Sequence, residues 1–87
     1  MVPRLSEFYG IVIYMYFSDH NPPHFHAIYA EHEAIIGVDD GSIIRGGLPK
    51  TAAGLVEQWR TLHETELHRN WLLAQTPAPL SSIEPLQ

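Results

Sequence analysis

The sequence predicts an α+β fold: a three- to four-stranded antiparallel sheet with two C-terminal helices packed on one face. Three observations predict it. Up to Arg45 the apolar residues fall in short runs of period two, separated by clusters of Asn, Pro, Asp and Gly. From Lys50 onward the period becomes 3.6. Strands that all precede the helices give a segregated sheet rather than alternating βαβ units. The 87 residues bound the chain to one domain.

The first run, Phe8 to Phe17 (FYGIVIYMYF), reads as one strand, apolar and rich in β-branched and aromatic residues. Alternation puts Ile11, Ile13, Met15 and Phe17 on one face and Val12, Tyr14 and Tyr16 on the other. The phenols make the second face amphipathic. SDHNPPH then stiffens the chain, because Pro22 and Pro23 fix two φ angles and remove two donors. Phe25–Ala30 and Glu33–Val38 read as the next strands, joined by a short turn around His32. Asp39-Asp40-Gly41-Ser42 is a turn, and Ile43, Ile44 and Arg45 read as a short fourth strand.

Pro49 belongs to the first turn of a helix over Lys50–His63. Ala52, Leu55, Val56, Trp59 and Leu62 form its apolar stripe, and Gly54 reads as a site of close packing. A second helix covers Glu64–Gln75, with Leu67, Trp71 and Ala74 on one stripe and Leu72 and Leu73 beside it. The stripe shifts near His63–Thr65, which predicts a bend there. Residues 1–76 thus form the α+β domain. The proline-rich residues 77–87 form an extended tail that Ile83 and Leu86 could pin to the body.

Ten acidic residues face five basic ones, a formal charge of −5. Arg4, Arg45, Lys50, Arg60 and Arg69 are scattered, which argues against a nucleic-acid surface. Without cysteine there is neither a disulfide framework nor a thiolate metal site. No apolar run nears the roughly 20 residues that span a bilayer. The first residues lack a leader pattern, so a cytoplasmic location is expected.

Three of the six histidines crowd into HNPPHFH, His20 to His26. In a strand, His24 and His26 share a face, with Cβ atoms roughly 6–7 Å apart. His20 lies across the proline turn, and Asp19 could hold one imidazole in a chosen tautomer. One chemical reading has His20, His24 and His26 bind Zn²⁺ and leave a fourth position open. Another has His24 and His26 act as metal-free acid and base on RNA, with Tyr14 or Tyr16 orienting the phosphate. It is short of cations, since only Arg45 and Arg4 lie near in sequence. A third has the segment contact a protein partner. The plainer reading, which the sequence favours, has the rings cap carbonyls, stack on Tyr14 or Tyr16 and lock the Pro-Pro turn. Trp59 and Trp71 read as core anchors, and no phosphate loop, nucleophile elbow or HExxH pair occurs.

PRLSEFYGIVIYMYFSDHNPPHFHA resembles the opening of a small bacterial family, domain of unknown function 4160. Its members carry a PPH-x-H segment, here Pro22, Pro23, His24, Phe25 and His26. The likeness continues through EAIIGVDDGSIIRGGLP, the Trp59 helix, Asn70-Trp71 and the closing IEPL. Members often stand beside another small family of unknown function, number 2442, and some bear a transcriptional-regulator label. The resemblance therefore implies an interaction or regulatory module of a two-gene, toxin–antitoxin-like system, with a small protein partner encoded nearby. Where relatives place paired basic residues, this chain has Lys50 followed by Thr51-Ala52-Ala53, which weakens a nucleic-acid role. The alternative is a toxin-like ribonuclease or metal-dependent hydrolase using His24 and His26. Tyr14, Tyr16 and Arg45 are the candidate partner or ligand contacts, and a homo-oligomer is compatible with either reading.

Overall fold

A computed structural model describes residues 4–87. Five strands precede two helices: β1 (Arg4–Phe8), β2 (Ile11–Tyr14), β3 (His24–Tyr29), β4 (His32–Gly37), β5 (Ile43–Gly46), α1 (Lys50–Leu62) and α2 (Glu64–Ala74). The sheet is an antiparallel meander in the order β1-β2-β3-β4-β5. The fold is α+β as expected, with five strands in place of three or four.

The difference lies in the first apolar run. Phe8–Phe17 is not one strand, because Tyr9 and Gly10 both take positive φ, 51° and 79°. Two successive left-handed residues make the tight turn whose twist matches a hairpin. Gly10 adopts that conformation without steric cost. Phe8 thereby becomes the partner of Ile11 across the β1–β2 pair. The alternation holds as far as Met15: Ile11, Ile13 and Met15 are fully buried. Phe17 departs from it and is 44% exposed, because the chain has left the sheet and turns at Ser18 with φ 57°.

Phe25, Ala27, Ala34 and Ile36 extend the buried face across β3 and β4, and both helices cover it. Phe8 and Phe25 lie against Trp59 of α1 at ring separations of 5.5 and 5.8 Å. The helices are separate, as the shifting stripe predicts. His63 breaks them with φ −122° and ψ 26°, and its amide donates to the Trp59 and Arg60 carbonyls. Leu62 and Leu72 fall outside the core. Arg60 and Asn70, polar residues on the same helices, are buried. Gly54 faces open space, so close packing does not account for it.

The tail has no regular structure but is tied down. The Ile83 amide donates to the Leu5 carbonyl at 2.8 Å, against the outer side of β1. Asn70 both donates to the Ser81 carbonyl and accepts from the Ser81 amide. Ile83 is buried, and Leu80 and Leu86 pack on the core. Among the described residues no helix is long and apolar enough to cross a membrane.

Candidate functional site

The face of the sheet opposite Phe25 and Ala27 carries His24 and His26. Strand register aligns Arg4, Tyr14, His26, Ile35 and Arg45 in one row across all five strands. Directly paired residues of an antiparallel sheet point to the same side, so this row shares a face. His24 stands two residues from His26 on β3, and their ring centroids are 5.5 Å apart. The expected shared face is present.

The loop between β2 and β3 then brings Asp19 onto the histidines. Ser18 turns with positive φ while its amide donates to the Ala74 carbonyl at the end of α2. Asp19 Oδ2 comes to 2.9 Å from His24 Nε2 and 3.8 Å from His26 Nε2. The Pro-Pro segment is held at its other end, where the Val38 amide donates to the Pro23 carbonyl.

Both rings are fixed from behind. His24 Nδ1 lies 2.7 Å from the Pro22 carbonyl oxygen, which can only accept, so Nδ1 carries a proton and donates. His26 Nδ1 lies 3.2 Å from Glu33 Oε2 and donates to that carboxylate. Tyr16 meets the His26 ring edge-on at 4.4 Å, and Trp71 of α2 lies 5.1 Å from the His24 ring. Each histidine is only 8% exposed. With Nδ1 donating outward, each ring turns its Nε2 toward the same aspartate oxygen, within hydrogen-bond reach for His24 and beyond it for His26. The His26 Nε2 is buried and has no hydrogen-bond partner.

Burial, the largest single influence on Asp19, pushes its carboxyl up. The His20 amide, the hydrogen bond to His24 and the charges of His24 and His26 together outweigh burial and hold it below its ordinary value. Asp19 is therefore ionised at neutral pH and offers an anionic oxygen between two imidazoles.

His20 is not one of the convergent groups. Its backbone amide donates to Asp19 Oδ1, while its ring lies in an exposed position. Asp19 takes the place that the spacing suggested for His20, and the donor set that could hold a metal is Asp19, His24 and His26. His20 instead lines a cavity of about 350 Å³ with His24, Ile35, Ile44 and Arg45. Tyr14 flanks His26 in the row, Tyr16 braces its ring, and Arg45 stands at the rim of that cavity. Glu33 is the contributor that sequence reasoning missed. Its only signal is register: it lies on the strand paired to β3, two residues before the partner of His26.

No curated protein and no solved structure gives a significant match to the chain. Residues 10–72, from the first hairpin turn into α2, match a family model described as Domain of unknown function (DUF4160), and the chain belongs to that family.

Proposed function

We propose that the protein is a cytoplasmic interaction module of a bacterial two-gene, toxin–antitoxin-like system, and that its partner is a small protein encoded beside it. The observation that carries this reading is the unequal treatment of the two sheet edges. The tail lies against the outer side of β1. β5 is the opposite edge, every residue of it is exposed, and no strand pairs with its outer side among the described residues. Ile43 and Ile44 are each about half exposed there. An uncovered edge with apolar side chains is a template for an added strand, and proteins normally blunt or cover such edges. A partner segment added to β5 gains main-chain hydrogen bonds there and buries Ile44 beside the His24 cavity. The chain's charge of −5 favours a basic partner.

Co-expression with the adjacent gene product followed by size-exclusion chromatography tests this. The two chains should co-elute at micromolar concentration, and Ile44→Asp should separate them while its circular dichroism stays that of the parent. Separate elution of the unmodified pair overturns the reading.

A second reading, a metal-dependent hydrolase using His24 and His26, is favoured by one observation: the anionic Asp19 oxygen between two oriented imidazoles beside a cavity. A phosphate-cleaving version draws less support, because Arg4 and Arg45 stand at opposite ends of the row. The His24→Ala, His26→Ala double variant should lose toxicity on induction and all hydrolysis. Behaviour identical to the parent rejects this reading.

A further inference from the structure

We propose that Asp19, His24 and His26 form a binding site for a single divalent transition-metal ion of the zinc class. The inference deepens the hydrolase reading and rests on it only in treating the two histidines as a site.

Three features of the geometry point to a cation. First, the donor atoms converge. One oxygen of Asp19 and one ring nitrogen from each histidine all lie within 4.8 Å of one another. Metal–ligand bonds of about 2.0–2.1 Å at tetrahedral angles put ligand atoms about 3.4 Å apart. The Asp19 oxygen, at 2.9 and 3.8 Å from the two nitrogens, brackets that spacing.

Second, both rings are oriented by the outer partners that metal-binding histidines use. A ligating imidazole donates its other N–H to a backbone carbonyl or a carboxylate, which fixes the tautomer and raises ligand basicity. Here the Pro22 carbonyl serves His24 and the Glu33 carboxylate serves His26. Each ring thus turns its Nε2 inward.

Third, the site is incomplete without a positive charge. Two ring nitrogens face the Asp19 carboxylate, and only His24 Nε2, at 2.9 Å, lies within hydrogen-bond reach of it. The His26 Nε2 has no hydrogen-bond partner, and a buried polar group left bare is destabilising. A proton on His24 closes one gap and leaves His26 as it is. A divalent ion closes all three.

The donor set selects the class of ion. Two imidazoles and one carboxylate suit zinc and its neighbours in the first transition row, whereas Mg²⁺ and Ca²⁺ take mainly oxygen. Three protein ligands leave a fourth position for water, the arrangement of catalytic rather than structural zinc sites. His24 also lines the cavity it shares with His20 and Arg45.

The test uses the full chain, stripped with chelator, dialysed and titrated with zinc chloride by calorimetry at neutral pH. One ion should bind per chain. Asp19→Ala and His26→Ala should each weaken binding more than about 100-fold, since even outer partners of a metal ligand are worth about 10–100-fold. Glu33→Gln should weaken it about tenfold. His20→Ala should leave it unchanged. Asp19 is partly exposed, so Asp19→Asn keeps the fold and decides the matter if His26→Ala does not fold. In the parent, cobalt in place of zinc should give the visible spectrum of a four- or five-coordinate site. No zinc binding at millimolar concentration overturns the proposal, as does equal binding by the parent and Asp19→Asn, or a loss in His20→Ala as large as in Asp19→Ala. Zinc that binds as described without any turnover rejects the hydrolase reading and leaves the metal site standing.

Discussion

Trp59→Ala should cost about 3–5 kcal/mol, the usual range for truncating a fully buried tryptophan. The side chain has no exposed surface. It touches Phe8 of β1 and Phe25 of β3, so it joins α1 to two strands that are not neighbours in the sheet. Its Nε1–H donates to the Glu84 carbonyl at 2.9 Å, which ties the tail to the same point. Domains hold roughly 0.05–0.15 kcal/mol per residue, so a chain of this length has little to spare for such a loss. Trp59→Phe keeps most of the aromatic packing and should lose far less. Urea unfolding monitored by far-ultraviolet circular dichroism reads both, as a fall in midpoint with little change in slope. A loss below about 1 kcal/mol for Trp59→Ala would mean that the core can collapse around the cavity, against the packing described.

Arg60→Ala should cost about 2–4 kcal/mol, through lost burial and a stranded carbonyl. The guanidinium lies almost entirely inside. Nη1 donates to the Val38 carbonyl at 2.9 Å and to Glu64, while Nε and Nη2 grip Glu57 with two bonds. It thereby holds the chain just after β4 onto α1. Removing it leaves the carbonyl of fully buried Val38 without this partner. The pair also predicts a pH effect. The hydrogen bond from Arg60 is the largest influence on Glu57 and, against the opposing pull of burial, holds its carboxyl below the usual range. A depressed carboxyl contributes stability above its unfolded-state pKa and loses it as pH falls through the folded value. The parent should therefore lose stability more steeply than Arg60→Ala on the acid side, below the normal glutamate range. Glu57 is about half exposed, so solvent screening keeps this share small beside the burial term. Thermal melts of both proteins across the acid range measure it. Parallel curves would show that Arg60 acts by packing alone.

Much of the fold is legible because local periodicity and burial agree. The helices and the break at His63 follow from apolar spacing alone. The β1–β2 hairpin is hidden because Tyr9-Gly10 interrupts an apolar run without a polar turn residue. RLSEF also lacks the alternation of an obvious strand, although Leu5, Ser6 and Phe8 are all buried. Arg60 and Asn70 are buried for a reason that no helical pattern carries. Each satisfies backbone groups of segments distant in sequence, Val38 for one and Ser81 for the other.

The candidate site divides in the same way. The shared face of His24 and His26 follows from strand geometry, which the sequence specifies. The identity of the third group does not, because it depends on how a loop turns. With Ser18 in the left-handed region, Asp19 points at the imidazoles and His20 lies at the exposed rim. Glu33 reaches His26 only through the β3–β4 register. HNPPHFH therefore supplies two of the three inward donors, and the third is the aspartate immediately before it.

The central claim is that both imidazoles are held with Nδ1 protonated and Nε2 directed at Asp19. Long-range ¹H–¹⁵N correlation spectra of histidine-labelled protein, recorded as zinc is added, test it most directly. The account predicts that zinc-bound His24 and His26 both carry the proton on Nδ1, that their Nε2 resonances move together on titration, and that His20 does not move. A zinc-bound His26 protonated on Nε2, or zinc shifts centred on His20, would contradict it.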